Sequence, residues 1–194
     1  MNVQPVTLEG PTIRLAPLTL EDAPRLWPHA DLALFQHTLD APRDAGLEAF
    51  AEWVRLSLAK PDSLLFVILD RRTGEALGTT GYLYIRVQHR GLEIGRTWIA
   101  KSHQGTRVNP ESKLLLLRHA FEDLGAIRVQ LTTDLNNLHS QRAIEKLGAR
   151  REGVLRSYQI RSNGTVRDTV MYSLVKEEWP EVRAGLEERL AKLA

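Results

Sequence analysis

The chain contains no cysteine, which excludes disulfide frameworks, cysteine-ligated zinc, iron–sulfur clusters and thiol nucleophiles. Long apolar runs are also missing. The longest run, Leu64–Leu69, has six residues, whereas a membrane-spanning helix needs about 20. The first five residues have neither the basic nor the apolar segment of an export signal. We therefore expect a soluble, cytoplasmic protein with no membrane partner.

Several common catalytic motifs are absent as well. The sequence has no G-x-G-x-x-G, no G-K-[ST] phosphate loop, no H-E-x-x-H and no G-x-S-x-G, so nicotinamide, ATP, zinc and serine-hydrolase chemistry lose their usual support. We expect no metal site, because the histidines lack metal-ligand spacing. They are His29, His37, His89, His103, His119 and His139.

Aromatic residues are few, at 6%, and the net charge is only +2. No Lys/Arg run is dense enough for a nucleic-acid arm, so direct nucleic-acid binding is not expected. The 20 arginines outnumber the 6 lysines, which mildly favours a phosphate-bearing ligand but is equally a compositional bias. An RNA- or ribosome-associated protein remains an alternative because of one arginine cluster near the C-terminal hairpin. Its members are Arg150, Arg151, Arg156, Arg161 and Arg167.

What is present suffices for one domain over residues 1–194, since 43% of the chain is hydrophobic. Apolar residues at helical spacing predict a helix over Leu47–Leu58. Alternating residues between turns predict three antiparallel strands. A helix, a strand, a second helix, a hairpin and a final helix follow, which indicates a mixed α/β fold. The predicted strands are Leu64–Asp70, Ala76–Gln88 and Leu92–Ala100, and the later elements are Pro110–Leu124, Ile127–Thr133, Ser140–Leu147, Glu152–Arg161 and Val166–Leu174.

The loop Gln104–Asn109 lies between a predicted strand and a predicted helix. Pro110 suits the first position of that helix because its missing N–H would be unpaired there anyway. Such a junction directs backbone N–H groups and the positive end of the helix dipole outward, which favours an anion. Arg107 adds a permanent positive charge to the same loop.

A second loop places Asn137 and Ser140 before another helix, which Gly148 ends. With this loop the chain resembles the GNAT N-acetyltransferase superfamily, in particular the branch of RimJ/RimL-type ribosomal-protein alanine acetyltransferases. The similarity covers nearly the whole chain. It includes the segments TIRLAPLTLED, LEIGRTWIA and GVLRSYQIRSNGTVRDTVMYS.

The resemblance implies a GNAT-like fold, with a central, mostly antiparallel mixed sheet of about seven strands and helices on both faces. It also implies transfer of the acetyl group of acetyl-CoA, as co-substrate, to a primary amine. A protein N-terminus and a small-molecule amine both fit as acceptors. The sequence leaves open whether the protein forms a homodimer.

The resemblance places the CoA pyrophosphate on the first loop, at Gln104, Gly105, Thr106, Arg107, Val108 and Asn109. The family pattern there is Q/R-x-x-G-x-G/A, and Arg107 and Asn109 stand where small residues are usual. Arg107 either turns outward, leaving only its N–H for the ligand, or contacts a phosphate directly. Trp98, Ile99 and Asn137 are expected to bind pantetheine. Lys113 either approaches the adenosine phosphates or is solvated.

For catalysis, the resemblance implies that the N–H of Ile99 or Ala100 polarises the thioester carbonyl. Ser140 would assist the departing thiolate, since Ile144 stands where many relatives have a tyrosine; the alternative is that Ser140 merely caps a helix.

The base is assigned to Glu93, which strand alternation predicts to share a face with Gly95, Thr97 and Ile99. Asp168 is a second candidate for the base. A non-catalytic acyl-CoA-binding or sensor module of the same fold is the competing hypothesis, favoured by Arg107, Asn109 and Ile144.

Overall fold

The computed structural model describes residues 1–193, in which eight strands form one sheet of order β1-β2-β3-β4-β5-β6-β8-β7. The strands are β1 (Leu8–Glu9), β2 (Ile13–Pro17), β3 (Leu64–Asp70), β4 (Ala76–Arg86), β5 (Gly91–Ile99), β6 (Arg128–Asp134), β7 (Arg150–Ile160) and β8 (Val166–Val175). The predicted antiparallel arrangement of β3, β4 and β5 is confirmed, as is the mixed α/β class.

Helices cover both faces of the sheet. One hydrophobic cluster packs α1 and α2 against one face, and a larger cluster packs α3 and α5 against the other. Within residues 1–193, no helix is long and apolar enough to cross a membrane. The helices are α1 (Ala23–Leu26), α2 (Leu47–Leu58), α3 (Val108–Arg118), α4 (Leu138–Glu145) and α5 (Trp179–Lys192).

Most predicted elements are found, and the differences lie at their ends. α2 begins and ends at the first and last of the predicted apolar positions, Leu47 and Leu58. α3 begins at Val108, two residues before Pro110, and a π-helical turn over His119–Asp123 continues it. α4 begins at Leu138 rather than Ser140, because the side chain of Asn137 caps it.

Strands β5 and β6 form the only parallel pair within the described residues, and the pair is short. Only three residue pairs join them, from Gly91 with Arg128 to Glu93 with Gln130. Beyond these pairs β5 runs on to Ile99 without a partner on that side. The unpaired parts of β5 and β6 therefore border a gap in the sheet, which we call the cleft.

The first turn of α3 is joined to β2 through the buried carboxylate of Glu111. Its oxygens accept hydrogen bonds from the backbone N–H of Thr12 at 2.8 Å and of Ile13 at 3.1 Å, and from the Thr12 hydroxyl at 2.6 Å. Gly10 permits this approach, since a Cβ there would lie 2.4 Å from Glu111 Oε1. The contact fixes where α3, and the loop before it, sit against the sheet.

Two residues further along α3, Lys113 is directed into the protein. Its side chain is buried, with 5% of the residue exposed, and Nζ donates to Thr97 Oγ1 at 2.6 Å and to Thr80 Oγ1 at 3.4 Å. Among residues 1–193 it has no carboxylate partner within 4 Å. Burial accordingly lowers the pKa of Lys113 from 10.5 to about 7.

Replacing Glu111 with alanine is expected to lower the free energy of unfolding by about 2–4 kcal/mol, because the N–H groups of Thr12 and Ile13 lose their acceptor. Urea denaturation measures this change. The matched control is Glu188→Ala, which removes an ion pair with Lys192 whose glutamate side chain is 70% exposed. That control should cost less than about 0.5 kcal/mol. Similar losses in the two variants would contradict the role given to Glu111.

The buried lysine predicts a pH dependence of stability. Between about pH 7 and 10.5 the unfolded chain holds a proton on Lys113 that the folded protein has lost. Stability relative to Lys113→Met should therefore rise with pH in this window, by at most about 1.4 kcal/mol per pH unit. Denaturation at several pH values tests this, with the exposed Lys192→Met as control. A difference that does not vary with pH would show that Lys113 keeps an ordinary pKa.

Candidate functional site

The cleft begins where β5 and β6 part, and two loops flank its open end. Residues 100–107 follow β5 and lead into α3, and residues 135–137 follow β6 and lead into α4. Both loops therefore present the N-terminus of a helix to the same gap. Helix N-termini carry partial positive charge and unpaired N–H groups, which suits an anionic ligand.

Strand β5 contains a β-bulge beside the cleft. The pairing register with β4 shifts by one residue between Gly95 and Trp98, so β5 has one extra residue there. Arg96, within this stretch, has a φ of 47°, which residues other than glycine rarely adopt. Bulges of this kind are frequent next to active sites, where they redirect side chains.

The bulge changes which side chains share a face. Ile99 packs in the cluster of α3 and α5, and Trp98 packs in the cluster of α1 and α2. Ile94 lies in the same cluster as Ile99, which places its neighbour Glu93 on the opposite face of the sheet. The expectation that Glu93 and Ile99 share a face is therefore wrong, because the extra residue shifts the alternation by one.

The backbone of Ile99 faces the cleft. The N–H of Ala100 donates to Leu77 O of β4 at 2.8 Å, so it cannot polarise a ligand carbonyl. Since backbone groups alternate in direction along a strand, the N–H and C=O of Ile99 point to the other side, towards the cleft. The Ile99 carbonyl accepts from Gln104 Nε2 at 3.1 Å. Of the two N–H donors expected from the sequence, only that of Ile99 is directed to the cleft.

The loop before α3 presents free N–H donors. Among residues 1–193, the backbone N–H groups of Gly105, Thr106 and Arg107 form no hydrogen bond. Gly105 has a φ of +74°, and no atom lies within 4 Å of the position of a Cβ there. The Thr106 hydroxyl donates to His103 O at 2.7 Å, while the side chain of Val108 is buried in the core. The loop is thus anchored at Val108 and open towards solvent.

Arg107 follows neither of the two expected arrangements fully. Its Nε donates to Glu111 Oε2 at 3.1 Å, so the side chain lies back along α3 rather than pointing away from it. Its Nη atoms make no hydrogen bond in the described part of the chain. Asn109 has a buried Oδ1 without a partner. The structure does not bring Lys113 to this loop surface, because its Nζ is bound inside to two threonines.

At the other flank, Asn137 and Ser140 open α4. Asn137 Oδ1 accepts from the backbone N–H of Ser140 at 3.0 Å, so the capping residue is Asn137. The alternative that Ser140 is the helix cap is therefore wrong. Within residues 1–193 the Ser140 hydroxyl makes no hydrogen bond, and it remains available for a ligand. Ile144, one turn later, is buried in the core.

Glu93 sits at the last paired position of β5, where the cleft begins. It is 5% exposed, and its carboxylate accepts from Gln130 Nε2 at 2.9 Å and from Thr132 Oγ1 at 2.8 Å. Burial raises the pKa of Glu93, and these two hydrogen bonds oppose that effect only in part. A carboxylate with a raised pKa at a cleft is suited to accept a proton.

The second candidate for the base, Asp168, has a structural contact instead. Its Oδ1 accepts from the backbone N–H of Ser157 at 2.7 Å. Ser157 has a φ of 49° and lies in a wide bulge of β7, where the register with β8 shifts. Asp168 therefore stabilises this bulge.

A segment that the sequence analysis missed crosses the cleft on the face of α1 and α2. We call residues 37–40 the strap. The carbonyl of Thr38 accepts from the backbone N–H of Ser162, near the tip of the hairpin, at 3.2 Å. At its other end, Asp40 forms an ion pair with Arg96 of the β5 bulge. The strap therefore links the β5 bulge to the hairpin of β7 and β8, and no periodic pattern in the sequence signalled it.

Local backbone strain also escaped the sequence analysis. Tyr84 of β4, with a φ of 47°, lies in a third bulge, at the register shift opposite Glu93. Burial and the nearby charge of Glu93 raise the pKa of Tyr84. The β4 bulge thus brings Tyr84 near the Glu93 carboxylate. Within residues 1–193 no group of three or more His, Asp or Glu side chains could hold a metal ion.

Comparisons with known proteins agree with this architecture. The uncharacterised N-acetyltransferase YoaA of Bacillus subtilis is 36% identical over 109 residues, which are 56% of this chain and 60% of YoaA. The chain thus spans about 60% of that relative's length. A crystal structure assigned as an acetyltransferase from T. thermophilus has a TM-score of 0.92 and 42% identity, and the match covers 98% of this chain and 100% of that one.

A third structure, Mycobacterium smegmatis RimJ in complex with CoA-disulfide, matches in fold with a TM-score of 0.79. It is 23% identical, and the match covers 95% of each chain. The family model for the acetyltransferase (GNAT) domain matches residues 12–150. This is well over half of the chain, and the protein therefore belongs to the GNAT acetyltransferase family.

Proposed function

We propose that the protein transfers the acetyl group of acetyl-CoA to a primary amine. The observation that carries this proposal is the cleft between β5 and β6, where an Ile99 N–H, an unpaired Ser140 hydroxyl and a buried Glu93 carboxylate border one gap. Membership of an acetyltransferase family and the fold match to a CoA-bound RimJ support the same reaction. When bound, acetyl-CoA supplies an acyl group activated as a thioester.

The residues at the cleft fit such a ligand. The free N–H groups of residues 105–107, at the start of α3, would hold the pyrophosphate, and the Arg107 Nη atoms lie close enough to α3 to add charge. Ile99 lies on the unpaired stretch of β5, where its backbone C=O would accept from a pantetheine amide as an added strand does. The backbone of Trp98 alternates with that of Ile99 and points towards β4, so it does not face this arm. The Asn137 side-chain NH2 remains free to bind the same arm.

The chemistry assigned to each residue follows from its position. The Ile99 N–H donates to the carbonyl oxygen of the thioester, where negative charge increases during attack. Glu93 accepts the proton that the amine loses, directly or through a water molecule, as the C–N bond forms. The Ser140 hydroxyl donates a hydrogen bond to the sulfur as the C–S bond breaks. Glu93 then releases this proton to solvent and the CoA thiolate takes one up from solvent, so the products are an amide and CoA, and Glu93 is ionised again.

The acceptor is proposed to enter from the face of α1 and α2, on which Glu93 lies. An α-amine has an ordinary pKa of about 8, against about 10.4 for a lysine side chain. A single carboxylate is better suited to take a proton from the α-amine, because the α-amine is the less basic of the two. This favours an α-amine, such as a protein N-terminus, over lysine.

One observation favours the alternative of a non-catalytic acyl-CoA-binding module. Ile144 is buried in the core, so the usual tyrosine position supplies no proton donor. Both hypotheses require acyl-CoA binding, and only the first requires turnover. Release of free CoA in the presence of a panel of amines distinguishes them.

Acetyl-CoA is expected to stabilise the folded protein by about 2.7 kcal/mol at a concentration near 100 times its Kd. Thermal unfolding with and without acetyl-CoA measures this. Pantetheine, which lacks the pyrophosphate, is the control ligand and should give a much smaller stabilisation. An unchanged melting temperature in millimolar acetyl-CoA would contradict both the enzyme and the binding-module hypotheses.

Ser140→Ala and Glu93→Gln are expected to differ in kinetics. Ser140→Ala removes a donor that acts in the transition state, so kcat should fall about 10–1000-fold with KM nearly unchanged. Its melting temperature should be unchanged, because Asn137 caps the helix. Glu93→Gln should lower kcat/KM about 100- to 10,000-fold.

The pH profile adds a second test of Glu93. Below the raised pKa of Glu93 both the base and the amine are protonated, so log kcat/KM of the wild type should rise with a slope of 2. Above that pKa only the amine titrates, and the slope should be 1. In Glu93→Gln the slope should be 1 throughout. A wild-type activity for Ser140→Ala, or an unchanged profile for Glu93→Gln, would refute the corresponding role.

A further inference from the structure

Arg167 of β8 is a buried cation with few partners. Only 5% of the residue is exposed, yet its only side-chain hydrogen bond within the described residues is a long one, from Nη1 to the carbonyl of His37 in the strap at 3.4 Å. Its Nε is buried without a partner, and among residues 1–193 its Nη2 donates to no group. A guanidinium has five donors, and leaving buried donors unpaired costs stability. This residue is therefore poorly explained by the fold alone.

Two carboxylates on the same face of the sheet, those of Asp134 and Glu93, are engaged by other residues. Asp134 is bound by Arg161 through two hydrogen bonds, of 2.5 and 3.0 Å. Glu93 is bound by Gln130 and Thr132. The negative charges of Asp134 and Glu93 favour the charged form of Arg167, although burial lowers its pKa. Neither acid lies within ion-pair distance of Arg167, and among residues 1–193 its guanidinium forms no ion pair.

We propose that Arg167 determines acceptor specificity by binding an oxygen next to the reacting amine, a carbonyl or a carboxylate. This inference rests on the proposed acetyl transfer. Val170, Tyr172 and Leu174 of β8 lie in the cluster of α3 and α5, so strand alternation places Arg167 on the other face of the sheet, the face on which Glu93 lies. In an α-amino carbonyl compound the nitrogen and the oxygen are two bonded carbons apart. Such a compound can present its amine to Glu93 and its oxygen to Arg167 at once.

The same arrangement selects against other amines. A polyamine or a lysine side chain carries no oxygen near its nitrogen, so it would occupy the site with the Arg167 donors still unpaired. Sites built to bind an oxygen reject analogues without one, because their polar groups are left unsatisfied. The acceptor class inferred is therefore an α-amino carbonyl compound, which is either a peptide N-terminus or a free amino acid.

The test compares two amines of similar shape, L-alaninamide and 3-methyl-2-butanamine, of which only the first has a carbonyl. Arg167→Gln should lower kcat/KM for L-alaninamide about 10- to 100-fold, the effect of losing a charged hydrogen bond, and change it less than about twofold for 3-methyl-2-butanamine. For each amine the kcat/KM of the variant is divided by that of the wild type, so the different basicity of the two amines cancels. Arg150→Gln, at an exposed arginine of β7, is the matched control and should affect neither amine.

The outcomes separate the inference from the proposed function. If the wild type acetylates no amine, the proposed function fails. If Arg167→Gln lowers kcat/KM equally for both amines, or for neither, the specificity role is wrong while acetyl transfer stands. If Arg167→Gln does not fold, Arg167→Lys takes its place, and the two amines are also compared in the wild type. Equal wild-type kcat/KM for the two amines, each calculated on its unprotonated fraction, would overturn the inference. Free L-alanine and an alanyl peptide amide then tell a carboxylate-bearing acceptor from a peptide N-terminus.

Discussion

The separation of β5 from β6 is the constraint on which the rest of the site depends. Three residue pairs hold the strands together, and beyond them the backbone groups that each strand directs towards the other have no strand partner. An unpaired strand edge inside a sheet is costly unless a partner satisfies it. An extended ligand with amide groups can provide that partner. The two helices that follow these strands add their N-termini to the same opening, so the fold combines a strand edge and an anion site.

Charge burial around Glu93 follows from the same separation. Side chains of β5, β6 and β8 meet on the same face of the sheet as α1 and α2, in a part that these helices do not cover. The strap crosses this part of the face. Within this space the acids are paired with neighbouring donors, whereas Arg167 is not. An uneven distribution of hydrogen bonds among buried charges is expensive for stability alone. Such a distribution is expected at a site where a bound substrate pairs with the donors that the protein leaves unpaired.

Rigid packing supports this site from the opposite face. Glu111 fixes α3 to the start of β2, and Lys113 binds the threonines beside the β5 bulge. Both side chains come from the helix whose N-terminus forms the anion loop. The position of that loop therefore depends on buried contacts far from its own residues. Arg107 belongs to the same set of contacts, because its Nε donates to the Glu111 carboxylate.

The sequence by itself determined the element order, the mixed α/β class and the two loops, because apolar periodicity and turn residues are local properties. It also singled out Glu93, Asn137 and Ser140, whose positions relative to strand and helix ends can be read along the chain. Only the tertiary structure decided the face of Glu93, the cap at Asn137 and the burial of Lys113. A bulge such as that at Arg96 shifts side-chain alternation without a sequence signal, since backbone strain is imposed by neighbouring strands. The strap and the unpaired donors of Arg167 arise from contacts between distant segments, and such contacts leave no periodic trace in the sequence.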